Sequence, residues 1–175
     1  YWADAPVKKQ TNLYVKTGIF TDGEPAVTYR GICLNDEAPA LSGWASEKFG
    51  GFNSRFSEHV FELILRLNGN FLWLAMWGSA FYDDDPRNGS LADEMGVVIG
   101  TSHHEPLGRA HDEWRRYGSG AWDYNKNAKV LTQFWTNCME RIKNYETVVT
   151  IGMRGDGDEA MSEDTNIALL EKIVR

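Results

Sequence analysis

Asn70-Phe71-Leu72-Trp73-Leu74-Ala75-Met76-Trp77 decides how this chain folds. The run is apolar almost without a break, where a strand with one wet face would alternate. A strand that reads this way is buried on both faces, as in a parallel sheet wrapped by helices. Two further runs behave alike, Met95–Thr101 and Thr147–Met153, and a shorter one, Tyr29–Leu34, is broken by Arg30 and Gly31. Between them lie helical patterns. Phe56, Val60, Phe61, Leu63, Ile64 and Leu67 keep helical spacing over about 53–68, with Gly69 placed for a C′ stop. A short helix opens at Ser90, another begins at Pro106 and stops at Gly118, and a longer one spans roughly 126–144 with Val130, Leu131, Phe134, Trp135, Cys138 and Ile142 on one face. A last helix begins near Ser162.

Strand and helix alternating in this way predict four βα units. Four units make a small open α/β sheet or the first half of a (β/α)8 barrel, which takes about 250 residues when complete. No glycine-rich first turn suits a dinucleotide, which disfavours the Rossmann arrangement. The expected organisation is a lead-in over residues 1–28 and the N-terminal half of a barrel over 29–175. Half a barrel leaves two parallel edges unpaired, so a longer polypeptide or pairing with another copy is expected. Tyr1 is not Met, and Tyr1-Trp2-Ala3-Asp4 has neither a basic head nor an apolar stretch. The reading is a chain processed or cut from something longer, with no secretory signal at its start.

Composition narrows the partners. With 18 Lys and Arg against 25 Asp and Glu the formal net charge is −7, and no basic cluster stands out, so nucleic acid is not an expected partner. No run approaches the ~18 consecutive apolar residues of a membrane helix. The two cysteines, Cys33 and Cys138, are too few for a disulfide framework and read as core thiols. Seven Trp, seven Tyr and eight Phe are mostly core, although Trp beside acids is also how proteins hold the flat apolar face of a sugar.

In parallel α/β architectures ligands bind where the strands end. The first strand delivers Asn35, Asp36 and Glu37 there, the second Trp77, the third His103, His104 and Glu105, the fourth Arg154, Asp156, Asp158 and Glu159. Several carboxylates without a nucleophilic Ser or Cys motif point to acid/base hydrolysis of the kind glycosidases perform with two carboxyl groups. Helix capping is the competing role for Asp36 and Glu159. Adjacent histidines on an extended strand point to opposite sides and are ill placed to share an ion; no metal and no cofactor is expected. Asp83-Asp84-Asp85 with Asn88 and Gly89 loosely follows a calcium loop, but Pro86 intrudes and a solvated rim fits better. Asn88-Gly89-Ser90 is a glycosylation sequon.

Several of these motifs together resemble a known family. Arg30-Gly31-Ile32-Cys33-Leu34-Asn35-Asp36-Glu37, Gly43-Trp44, Lys48-Phe49-Gly50-Gly51-Phe52-Asn53, Ala75-Met76-Trp77-Gly78, Gly100-Thr101-Ser102-His103-His104-Glu105-Pro106 and Gly152-Met153-Arg154-Gly155-Asp156 are similar to stretches of the xylan α-1,2-glucuronidases of glycoside hydrolase family 115. The likeness spans about residues 29–160. It implies a (β/α)8 catalytic domain within a larger extracellular or periplasmic enzyme, a homodimer when full length. It implies inverting hydrolysis of the α-1,2 bond joining glucuronic acid or its 4-O-methyl ether to glucuronoxylan or glucuronoxylo-oligosaccharides. Asp36 carries over as a pocket acid, and Asp156 and Asp158 compete for a second acidic role. A glutamate and asparagines from later strands complete the family's pocket and lie beyond these four strands. Asn35, Trp77, His103, His104, Glu105 and Arg154 are the expected substrate contacts. A glucuronate carboxylate needs donors, and Arg154, His103, His104 and Arg109 are the candidates. The alternatives are a carbohydrate-binding α/β domain that does not cleave, and a small metal-dependent hydrolase built on His103 and Glu105.

Overall fold

The computed structural model describes residue 8 and residues 10–155, 159–160 and 167–174. Four parallel strands form one sheet: β1 (Gly31–Asn35), β2 (Phe71–Ala75), β3 (Val98–Thr101) and β4 (Thr147–Val148). Their order in space is their order in sequence, β1-β2-β3-β4. This order departs from that of Rossmann sheets, in which the strand order reverses. The ladder sets Asn35 beside Ala75 and Leu74 beside Thr101, so three strands end level.

Helices α1 (Ala40–Phe49), α2 (Ser54–Arg66), α3 (Phe81–Asp84), α4 (Arg87–Met95), α5 (His111–Tyr117), α6 (Tyr124–Ile142) and α7 (Ile167–Val174) join or follow the strands, with a 3-10 turn at Pro106–Gly108. Asn53 starts α2 by accepting from the N–H groups of Arg55 and Phe56, and Asp123 starts α6 through Asn125 N–H. Each cap satisfies donors that no helical carbonyl reaches. The apolar stripe of α2, with Val60, Phe61 and Ile64, packs with Leu72 and Ile99 of the sheet. Complete burial of side chains this large contributes about 1.5–3 kcal/mol each. A second cluster joins Trp114 of α5 to Leu131, Phe134 and Trp135 of α6.

Several expectations need correction. Strand β3 is buried on both faces, as its apolar run predicts, but β1, β2 and β4 are covered on one face only. Ile32, Leu34, Leu72, Leu74 and Ile99 face the helices, whereas Cys33 is exposed and Trp73 and Val148 keep 45% and 41% of their surface open. In these three strands the apolar run therefore does not mean burial on both faces within the described residues, and Cys33 is no core thiol. Cys138 is buried as expected, and burial pushes its thiol above its ordinary pKa. Helix α1 has no counterpart in the sequence reading, because Ser42, Gly43 and Ser46 dilute its helical signal. The left-handed residue after α2 is Asn68 rather than Gly69. The stretch before β3 is helical to Met95, and α4 starts after Pro86 with Ser90 inside it. The Pro106 helix divides into the 3-10 turn and α5, although it does end at Gly118. The paired part of the fourth strand is two residues long. The start of the last helix, near Ser162, lies outside the described residues.

The triple aspartate is a partly solvated rim, as expected, but its acids are all engaged. Asp83 and Asp84 both bind Arg116, at 2.9 and 2.6 Å. Asp85 accepts from Ser54 N–H at 2.8 Å and so ties the start of α2 to the loop before α4. Asn88 of the sequon is fully buried. Its amide donates to the Phe81 carbonyl at 2.8 Å, and its oxygen accepts from Ser57 Oγ at 2.9 Å. Asn88→Ala should lower the unfolding free energy by about 2 kcal/mol, the cost of two lost buried hydrogen bonds and a stranded hydroxyl, as read by urea denaturation. Peptide mass analysis after expression in a glycosylating host should find Asn88 unmodified.

Candidate functional site

At the carboxyl end of the sheet the ladder runs out and side chains take over the unpaired backbone. Asp36 N–H still reaches the Ala75 carbonyl at 3.1 Å, and Ser102 N–H the Leu74 carbonyl at 2.8 Å. Beyond Ala75, four consecutive N–H groups have no strand partner. Two carboxylates from the neighbouring strands receive them. Glu105 Oε1 accepts from Met76 N–H at 2.8 Å. Asp36 Oδ1 accepts from Trp77 N–H at 2.8 Å, and its Oδ2 accepts from Gly78 N–H at 3.0 Å, Ser79 N–H at 2.8 Å and Ser79 Oγ at 2.7 Å. Asp36 is thus no cap for the helix that follows it; it braces the loop after β2.

The segment so held presents Trp77, which is 43% exposed. Its ring leans on the His104 ring, with centroids 4.5 Å apart, and the His103 ring is 4.1 Å from His104. Both histidines sit in a turn beyond β3 rather than on an extended strand, so the alternation expected to separate them does not apply. Among the described residues, no group of three or more His, Cys, Asp or Glu is arranged to hold a metal ion. Arg115 of α5 donates to the Trp77 carbonyl at 3.3 Å.

Glu105, expected on the ligand-facing rim, is completely buried. Its Oε2 accepts from Ser102 Oγ at 2.6 Å, and its carbonyl accepts from Thr101 Oγ1 at 2.8 Å. Burial raises its pKa above the ordinary 4.5, and the hydrogen bonds from Ser102 and Met76 only partly oppose this. Arg109 is also unavailable to a ligand carboxylate. It is buried, pairs with Glu113 at 2.8 Å and lies over the Phe134 ring. Glu113 in turn receives Arg141 at 3.0 Å.

Asn35 donates to Glu37 Oε1 at 2.9 Å, while its own Oδ1 is buried with no hydrogen-bond partner among the described residues. Arg154 is exposed at the end of the fourth segment, and its carbonyl accepts from Trp122 Nε1 at 2.9 Å. Asp156 and Asp158 lie outside the described residues; Glu159 is exposed, and its carbonyl accepts from Gly155 N–H at 3.0 Å. The described strand ends therefore bring together Asp36, Trp77, His103, His104 and Glu105. Ser79 and Ser102 join them as carboxylate partners that the sequence reading did not single out, since a hydroxyl in a loop carries no pattern of its own.

Comparison with known proteins bears on this rim. The model of Glycosyl hydrolase family 115 matches residues 22–175. The chain belongs to this family. Among solved structures it is similar to a novel family GH115 4-O-methyl-alpha-glucuronidase, BtGH115A, with specificity for decorated arabinogalactans. The two are 33% identical, with a TM-score of 0.75 over 86% of this chain. The match spans 21% of the length of that family 115 protein. No curated protein matches the chain.

The buried Glu105 gives the site a pH signature. A carboxyl whose folded pKa is raised favours the folded state fully below its unfolded value, and that contribution is lost as pH rises through the folded value. Glu105→Gln keeps an acceptor for Met76 N–H but does not ionise. The variant should therefore gain stability relative to the wild type as pH rises above about 4.5 toward neutrality. Urea midpoints of both proteins at pH 4 and pH 7 measure this, and a pH-independent difference would count against a raised Glu105 pKa in the fold.

Proposed function

We propose that this chain is the first part of the catalytic (β/α)8 barrel of a secreted or periplasmic glycosidase. The enzyme removes glucuronic acid or 4-O-methylglucuronic acid side chains from glucuronoxylan by inverting hydrolysis of the α-1,2 bond. In this reading residues 1–28 lead into the barrel, residues 29–175 supply its first four βα units, and the intact enzyme is a homodimer. The observation that carries the proposal is the joint placement of Asp36, Trp77 and the His103–His104 pair at the level ends of sequentially ordered parallel strands, in a chain of family 115. Sequential order is what a closing barrel requires, and the open face carrying Trp73 and Val148 suits the inside of one.

The residues take complementary parts. Trp77 offers an aromatic plane to a sugar ring. Arg154, with His103 and His104, supplies donors for the uronate carboxylate. Asp36 serves as one acid of the pocket, with Asp156 or Asp158 as a second. An inverting glycosidase separates its two carboxyl groups by about 6.5–9.5 Å to admit a water; a general acid then protonates the leaving oxygen while a general base activates that water. The specificity of BtGH115A favours a second reading of the polymer, in which the side chain is taken from a decorated arabinogalactan.

The intact enzyme incubated with glucuronoxylan should release glucuronic acid, with the inverted anomer appearing first by NMR and with turnover surviving a strong chelator. Release from arabinogalactan alone would move the assignment to the second polymer. Binding to either without turnover would make the chain part of a carbohydrate-binding protein. Asp36→Ala and Asp156→Ala should each lower kcat/KM by about 10²–10⁴-fold, the usual contribution of an acid/base group. Unchanged turnover in both would remove the proposed roles.

A further inference from the structure

We infer that Glu105 is a positioning residue that acts through Trp77, fixing the sugar platform from beneath without meeting the sugar itself. This rests on the glycosidase reading above and adds to it a residue whose carboxyl is spent wholly inside the protein. Glu105 has no exposed surface. Its two oxygens are divided between Met76 N–H, the residue directly before Trp77, and Ser102 Oγ, the residue directly before His103 and His104. One side chain thus links the two segments whose rings meet at 4.5 Å in the Trp77–His104 pair.

The geometry also explains why an acceptor is required at this position. Met76, Trp77, Gly78 and Ser79 present four successive N–H groups past the end of the ladder, and Asp36 takes the last three. Met76 N–H points the other way, toward β3, where Glu105 is the acceptor. Without Glu105 a buried donor is left unmet, and the chain must shift to satisfy it. The shift falls on Trp77, whose indole would leave its plane against His104. Asp36 holds the far side of the same segment, so the movement is a tilt of the platform rather than loss of the loop.

Two measurements on the intact protein test this. The first does not depend on activity. With 5-fluorotryptophan incorporated, the 19F resonance that disappears in Trp77→Phe should shift or broaden in Glu105→Ala and return to its place in Glu105→Gln, the other tryptophan resonances staying still. An unmoved Trp77 resonance in folded Glu105→Ala would overturn the inference. If Glu105→Ala does not fold, Ser102→Ala, which removes one of the two anchors of the carboxyl, should move the same resonance by less. A still resonance in that folded variant would overturn the inference equally.

The second measurement is a double-mutant cycle on glucuronic acid release. Glu105→Ala should raise KM about tenfold with a much smaller change in kcat, and should add little in a protein that already carries Trp77→Ala. Equal losses with and without Trp77→Ala would mean that Glu105 acts by another route and would overturn the inference while leaving the glycosidase reading intact. A wild-type protein that releases no glucuronic acid would instead remove the glycosidase reading, with the fluorine experiment still deciding whether Glu105 positions Trp77.

Discussion

The parallel ladder from β1 through β2 to β3 is the constraint on which the rest of the molecule depends. Its register brings three strands to a level end, with Asn35 beside Ala75 and Leu74 beside Thr101. Once that edge is level, the residues immediately beyond it are neighbours whatever their distance in sequence. Asp36 can reach the backbone of 77–79, and Glu105 can reach Met76, because the ladder has already set the spacing. A slip of one residue would send every side chain of the slipped strand to the opposite face and would separate both carboxylates from the N–H groups they now hold.

The carboxylates at this edge divide into kinds that their residue types do not announce. Asp36 is half-buried and saturated by four donors from one loop. Glu105 is sealed beneath the surface. Asp83 and Asp84 serve Arg116, and Glu113 serves the buried Arg109 and the half-buried Arg141. Much of the acidity that gives the chain its negative charge is therefore committed to holding loops and helices together, and an acid-rich strand end is as much a joint as a reaction centre. Charge pairs of this kind cost desolvation to form, but removing one partner strands the other, which is the more damaging change.

The existence and order of the strands, the main amphipathic helices and the location of the rim were legible in the sequence because periodicity and strand-end position are local properties. Val60, Phe61 and Ile64 mark a core face by spacing alone, and they are core. What was not legible depends on neighbours. Cys33 and Trp73 read as buried because they stand in apolar runs, yet they occupy the sheet face that the helices do not cover. Glu105 read as a rim residue from its place after a strand, and only the turn at Ser102–Glu105 sends it inward. His103 and His104 were assigned strand alternation, whereas the turn brings their rings together. The errors at Glu105 and at the two histidines treat a strand end as a continuing strand, and the turn chemistry there is tertiary.

Sequential strand order also bears on how the protein is made. Gly31 pairs with Phe71 and Phe71 with Val98, so each strand docks on the one synthesised just before it. A chain emerging from the ribosome from its N-terminus can add strand after strand to an edge already in place, without waiting for a distant partner to be translated. Sheets that insert a late strand between two early ones have no such route. Keeping paired segments close in sequence limits the loop-closure entropy that makes parallel sheets slow to form, and it lets each new segment cover the edge left open by the last while synthesis continues.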